Sequence, residues 1–279
     1  MAHGIGGTRD AGLEPFAEAF AEAGLDALLF DYRSFGASTG EPRQFGWPPR
    51  HRADYRSAVE FARGLDGVDP ERIVLWGTSW SGGHVVYVAA DDHRIAAVIS
   101  QTPDLDGVRT LLEIARYGGA GQLLRTTLAG LKDVLGALRG QPPHLIPIVD
   151  EPGKVAAMSS EEALPGYLKI AGPSWRNEIS ARAVLNESRN RAITRIGEPR
   201  CPILIQIAES DSVAPPAAAR AAAWRAKGRV EVREYPCAHF DIYLDWRDRA
   251  IEDQLHFLTR HLASSTASPS GASAAPAPG

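Results

Sequence analysis

Seven residues, Gly77-Thr78-Ser79-Trp80-Ser81-Gly82-Gly83, restrict what this chain can fold into more than any other stretch. Ahead of them stands Ile73-Val74-Leu75-Trp76, short, apolar and branched, as a buried strand is. After them Val85-Val86-Tyr87-Val88-Ala89-Ala90 reads as a helix packed on that strand. A strand that turns into a helix through a small–x–Ser–x–small pentad has the form of a nucleophile elbow. The serine sits on a sharp turn, so the positions two before and two after it, Gly77 and Ser81, must be small. The turn lifts the Ser79 hydroxyl above the sheet and leaves the Trp80 N–H at a helix start, where it can meet a developing oxyanion. A frame shifted by two, with Ser81 between Ser79 and Gly83, also fits the pattern. Ser79 is preferred because the strand ends at Trp76-Gly77, which puts Ser79 at the tip.

The rest of the chain alternates around this point. A helix is expected from about Leu13 to Ala23 and a strand over Leu25–Phe30. The Gly/Ser-rich loop Asp31-Tyr32-Arg33-Ser34-Phe35-Gly36-Ala37-Ser38 follows, then a helix over about Pro49–Arg63. Ile95–Ile99 is a further buried strand. Pro202–Ile207 and Val230–Tyr235 are two more, joined by a helix that begins at Pro215-Pro216, and a last helix covers Arg247–Leu262. Alternation of this kind predicts an α/β fold, a mostly parallel sheet with helices on both faces. From Leu105 to Arg195 the rhythm breaks, and Leu111, Leu112, Leu124, Leu128, Leu131, Leu135 and Leu138 recur at helical spacing. This predicts a mostly helical cap. Its leucine faces read as cap core, with some free to line an apolar acyl site. The division expected is core over 1–104, cap over 105–195, core again over 196–262, and a disordered Ser/Ala/Pro tail over 263–279.

A serine hydroxyl attacks only when a base takes its proton, and the base needs a partner that fixes its tautomer. Asp211 lies just past one predicted strand and His239 just past the next. Parallel strands bring their carboxyl ends to one edge, so both arrive beside Ser79. Glu209 is a competitor for Asp211, with Asp104 and Asp106 weaker rivals. The opening His3-Gly4-Ile5-Gly6-Gly7 has the H-G-x-G-G form of a loop that supplies a second oxyanion N–H, here from Ile5.

These residues together resemble the α/β-hydrolase superfamily, and within it bacterial serine esterases and prolyl-dipeptidase-like hydrolases. The matching stretches are His3–Gly7, Asp31-Tyr32-Arg33 with Phe35–Ser38, the turn at Ser79, Asp211–Pro215 and His239-Phe240-Asp241. The resemblance implies a carboxylic-ester hydrolase working through an acyl-enzyme on Ser79. Asp211 and His239 complete the triad, and the N–H groups of Trp80 and Ile5 form the oxyanion hole. The alternatives are a serine aminopeptidase, which needs a clamp for a substrate amine, and a catalytically impaired remnant. One departure stands out. A central strand should lie between Leu25–Phe30 and the elbow strand, yet only Met1 and Ala2 precede His3. An empty gap would bury unpaired backbone groups at about 1–3 kcal/mol each. Either Met1 is an internal start or the sheet closes the gap another way.

Composition narrows the classes. The 279 residues are 44% apolar with a net charge of −4, and no basic stripe suggests nucleic acid. No apolar run can span a bilayer and no signal peptide opens the chain, so no membrane partner and a cytoplasmic location are expected. Neither H-E-x-x-H nor paired C-x-x-C occurs, so no metal or other cofactor is expected. Cys201 and Cys237, at opposite ends of neighbouring strands, are expected to be free thiols. The partner expected is a small acyl substrate, with the oligomeric state left open.

Overall fold

The computed structural model describes residues 1–263; the expected tail lies outside the described residues from 264 onward. In chain order the elements are α1 (Glu14–Glu22), α2 (Pro48–Arg63), β1 (Val74–Thr78), α3 (Trp80–Asp91), β2 (Ala97–Gln101), α4 (Gly107–Ala137), β3 (Leu145–Ile146), α5 (Ala163–Ile170), β4 (Ile179–Ser180), β5 (Ile203–Ala208), α6 (Pro216–Arg225), β6 (Val230–Tyr235) and α7 (Arg247–Ala263). Short 3-10 turns cover Ala181–Arg189, Ala192–Thr194 and Asp241–Tyr243. The main sheet has the order β1-β2-β5-β6 and all its pairs are parallel. β3 and β4 form a separate antiparallel pair.

Side chains of the buried strands alternate between two cores, as a two-residue period requires. Leu75, Val98, Ile203 and Ile205 point to one face, where Tyr55 and Val59 of α2, Val85 and Val86 of α3, and Ala219 and Ala222 of α6 cover them. Trp76, Ile99 and Leu204 point to the other, under Phe16 and Phe20 of α1 and Phe257 and Leu258 of α7. A buried amide network sets the register of α7. Gln254 accepts from Trp76 Nε1 at 3.0 Å and donates to Gln101 Oε1 at 2.9 Å and Gln206 Oε1 at 2.6 Å. Both cysteines are buried free thiols flanking β5 and β6.

Three expectations need correction or completion. Leu25–Phe30 is not a strand. Met1 and Ala2 run alongside it without forming a ladder. Those two residues close the expected gap: the Met1 amine donates to Leu28 O at 2.7 Å, Phe30 N donates to Met1 O at 3.4 Å, and Ala2 N donates to Trp76 O at 3.3 Å in a parallel bridge to Gly77. The third concerns the leucine faces. Leu124, Leu128, Leu131, Leu135 and Leu138 are 46–79% exposed, so they are not a cap core. α4 instead buries Gln122, Thr126, Gly130, Asp133 and Gly136. What turns it this way is polar. Asp133 takes both arms of the Arg182 guanidinium at 2.7 Å, and the missing side chain of Gly130 lets Leu185 approach the helix. A kink at Gly119, φ 71°, breaks α4 into two pieces.

Behind the elbow lies a buried cluster of three histidines. His51 stacks on Tyr32 at 3.9 Å between centroids and meets His84 at 5.6 Å, and His3 lies edge-on to Tyr32. The ring nitrogens of His51 and His84 have no hydrogen-bond partner among the described residues. Burial holds His3 near 4, His84 near 3 and His51 well below its ordinary value. The unfolded chain takes up protons at these rings once the pH falls below about 6.5, whereas the folded chain does so only at much lower pH. Folded stability should therefore fall as pH drops from 6.5 towards 4, by roughly 1.4 kcal/mol per pH unit for each ring. Denaturant melts across that range test this: His84→Leu should make the slope shallower, and an unchanged slope would show that the ring is not held neutral.

Candidate active site

β1 ends by delivering Ser79 into φ 55°, ψ −121°, a conformation that L-residues rarely adopt. The surrounding backbone holds it there. Ser79 N donates to Gln101 O at 2.9 Å, while Ser79 O accepts from Gly82 N at 2.9 Å and Asp104 N at 3.0 Å. A side chain at Gly77 would collide with the Ser81 carbonyl. Ser81 is itself occupied: its hydroxyl donates to His3 O and pairs with Tyr32 OH at 2.5 Å, with the residue 1% exposed. The shifted frame is therefore closed, since a buried hydroxyl tied to two partners cannot reach a substrate. Tyr32 comes from the Asp31–Ser38 loop, whose Asp31 accepts from Arg9 N at 2.7 Å and Ala37 N at 3.0 Å. The loop thus clamps the glycine-rich opening to the elbow.

That opening runs directly past Ser79. A Cβ on Gly4 would lie 2.9 Å from Ser79 Cβ and 3.2 Å from its Oγ. Gly6 sits at φ 63°, turning the chain so that Gly7 N bonds Gly4 O at 3.2 Å. Tyr167 OH donates to Ile5 O at 3.1 Å, which holds the peptide that follows Ile5. The Trp80 N–H is the first of α3, where no intrahelical acceptor exists. Ile5, Ser79 and Trp80 all line one cavity.

His239 and Asp211 meet as the strand order requires. His239 Nδ1 hydrogen-bonds Asp211 Oδ2 at 2.6 Å, with both side chains 2% exposed. Asp211 Oδ1 accepts from Val213 N at 2.8 Å and Ala214 N at 2.6 Å. Burial pushes the Asp211 carboxyl up, against the pull of His239. Burial would lower His239, but the adjoining Asp211 carboxylate outweighs it and the imidazole lies above its ordinary value. Ser79 and His239 line the same small niche together with His3, Gly4 and Tyr243. No hydrogen bond joins the Ser79 hydroxyl to the imidazole, and such contacts often tighten only around substrate. None of the rivals hydrogen-bonds the imidazole: Asp104 lies beside Ser79 but accepts from Thr110 Oγ1 at 2.9 Å. Glu209 is exposed, and Asp106 caps α4 and pairs with Arg191 at 2.8 Å.

Sequence reasoning missed two carboxylates. Glu162, just before α5, accepts from Ser212 N and Oγ at 2.6 Å each and from His239 N at 2.8 Å, so one side chain ties the aspartate loop to the histidine loop. Glu187 reaches Trp80 Nε1 at 3.1 Å. Neither carries a local motif; each is found only once the segment between β2 and β5 is folded over the sheet edge. Among the described residues no cluster of three or more His, Cys, Asp or Glu could hold a metal, and no helix is long and apolar enough to cross a membrane.

With this geometry, the fold and the match to known families agree: the chain belongs to the α/β-hydrolase fold family, whose model matches residues 1–245. It is 38% identical over 263 residues to the quorum-quenching protein AidA of Acinetobacter baumannii, covering 93% of this chain and 85% of that one. It is 30% identical over 226 residues to the thiohydrolase aneE of Aspergillus aculeatus, covering 77% of this chain and 69% of that one. The crystal structure of the α/β hydrolase GrgF from Penicillium sp. sh18 superposes with a TM-score of 0.81 at 25% identity, covering 94% of this chain and 89% of the other.

Glu162→Gln tests the tie between the two loops. An amide offers one acceptor where two backbone N–H groups need one each, so one N–H is left facing an NH₂. The expected cost is about 1–3 kcal/mol in a denaturant melt. Because the Glu162 charge also supports the His239 imidazolium, an NMR titration should show the His239 pKa lowered. Unchanged stability and an unchanged titration would remove Glu162 from the site.

Proposed function

We propose that this hydrolase-family chain is a serine hydrolase that cleaves carboxylic esters through an acyl-enzyme on Ser79. The observation that carries the reading is the His239–Asp211 hydrogen bond of 2.6 Å, formed beside a serine held at φ 55°. Asp211 fixes Nδ1 as the protonated nitrogen, leaving Nε2 free to act as base. His239 takes the Ser79 proton as Oγ attacks the acyl carbon. The tetrahedral oxyanion is held by the N–H groups of Trp80 and Ile5. As the intermediate collapses, the imidazolium gives its proton to the departing alcohol. Water then repeats the sequence on the acyl-enzyme, restoring Ser79 and releasing the acid. The segment over residues 105–195 serves as a cap, and the cavity of about 300 Å³ beneath it takes the acyl chain.

A second reading has its own support. An activated serine attacks a thioester by the same steps, and the relative from Aspergillus aculeatus is named a thiohydrolase. Peptide amides demand a stronger push on the leaving nitrogen, and paired ester, thioester and amide substrates rank the three.

Ser79→Ala should lower turnover of p-nitrophenyl butyrate by about 10⁴-fold or more while leaving the melting temperature within a few degrees. Retained activity in a folded Ser79→Ala protein would rule out the assignment.

A further inference from the structure

The loop that offers the Ile5 N–H is a single tight turn. Gly7 N donates to Gly4 O at 3.2 Å, and φ is positive at Gly6 but not at Ile5. That is a type II turn with Ile5 and Gly6 as its central residues. The trans peptide between Gly4 and Ile5 puts the Ile5 N–H opposite the Gly4 carbonyl, so closing the turn aims it. The peptide between Ile5 and Gly6 has two choices. Reversing it converts type II into type I, and a glycine takes the backbone angles of either form at little cost. Reversal turns the backbone at Ile5 itself, the residue whose N–H is offered. The turn residues therefore do not choose between the two forms, and a partner for Ile5 O does.

That partner comes from the segment that folds over the sheet edge. Tyr167 of α5 donates its hydroxyl to Ile5 O at 3.1 Å. Its ring is buried and held on two sides, stacked on Trp175 at 4.8 Å between centroids and 5.6 Å from Phe240. A Cβ on Gly7 would lie 3.0 Å from the hydroxyl, so loop and side chain are in close contact. The same segment reaches the loop elsewhere. A Cβ on Gly6 would lie 2.4 Å from Ile148 Cδ1, and Ser174 donates to Asp10 from N at 2.9 Å and from Oγ at 2.8 Å. α5 is fixed equally to the histidine loop. Glu162, the residue before it, accepts from His239 N, and a Cβ on Gly166 would lie 2.3 Å from the Phe240 ring. Glu162 and Tyr167 thus set the base and the opening loop against one another.

We propose that Tyr167 is a positioning residue for the oxyanion hole: by holding Ile5 O it keeps the opening turn in the form that aims the Ile5 N–H. This rests on the serine-hydrolase reading and deepens it. A side chain that only filled space would act through its ring, whereas this role belongs to the hydroxyl.

Tyr167→Phe is the test, because the ring and its stacking stay and only the hydroxyl goes. With p-nitrophenyl butyrate, kcat should fall about fivefold, the scale of one neutral hydrogen bond, while KM stays within about twofold. Butylboronic acid, whose adduct on a serine is tetrahedral like the intermediate, should bind more weakly by the same factor. The melting temperature should stay within a few degrees. NMR relaxation dispersion on the free protein reads the turn without turnover: the Ile5 and Gly6 amides should show much larger exchange broadening in the variant than in the wild type. That broadening, in a protein whose wild type neither hydrolyses the ester nor binds the boronate, would refute the hydrolase reading alone. The inference is overturned if an active enzyme keeps its kcat and boronate affinity in the variant, if KM rises as far as kcat falls while the melting temperature drops, or if the Ile5 and Gly6 amides do not change.

Discussion

The site depends on a serine that its own strand could not hold in place alone. Ser79 occupies a left-handed turn, φ 55°, which costs of order 1–3 kcal/mol for a side-chain-bearing residue. Three backbone hydrogen bonds, from Ser79 N to β2 and into Ser79 O from Gly82 and Asp104, lock it. Close packing does the rest, with Gly77 below and Gly4 alongside. The strain is thus sustained by neighbours that come from four separate stretches of chain. Three of them also line the cavity beside Ser79: the opening loop with Ile5, α3 with Trp80, and the turn after β2 with Asp104.

Much of this could be read from residue order because it follows from chain-local physics. The elbow needs small residues at fixed offsets, and parallel strands must place Asp211 and His239 at one edge. Strands β1, β2, β5 and β6 were legible as short branched runs, and two-residue alternation sorted them between two cores. The leucines of α4 misled for a definite reason. Helical spacing shows that they share a face, but says nothing of which face is inward. That was decided by Asp133 meeting Arg182, a pairing between residues 49 positions apart that no local pattern reveals. Leu25–Phe30 misled similarly, since a strand needs a neighbour as well as a propensity. Glu162 and Glu187 were illegible because their meaning lies in contacts with Ser212, His239 and Trp80.

The carboxylates divide by their partners. Asp211 faces an imidazole and two backbone N–H groups, so its charge has somewhere to go. Glu162 sits outside that pair and spans two loops by their backbone. Burial raises both Asp104 and Glu187, and each resists the other's charge. One class of side chain therefore behaves differently at each place, as its surroundings dictate.

Whether His239 and Asp211 make Ser79 reactive is read by the rate of fluorophosphonate labelling against pH, with the labelled residue mapped by mass spectrometry. A neutral imidazole is needed to take the serine proton, and Asp211 holds that imidazole above its ordinary pKa. Labelling should fall on Ser79 alone, rise with pH through an apparent pKa above about 6.5, and lose most of its rate in Asp211→Asn. Labelling at another residue, or a rate on Ser79 that neither pH nor Asp211→Asn alters, would contradict it.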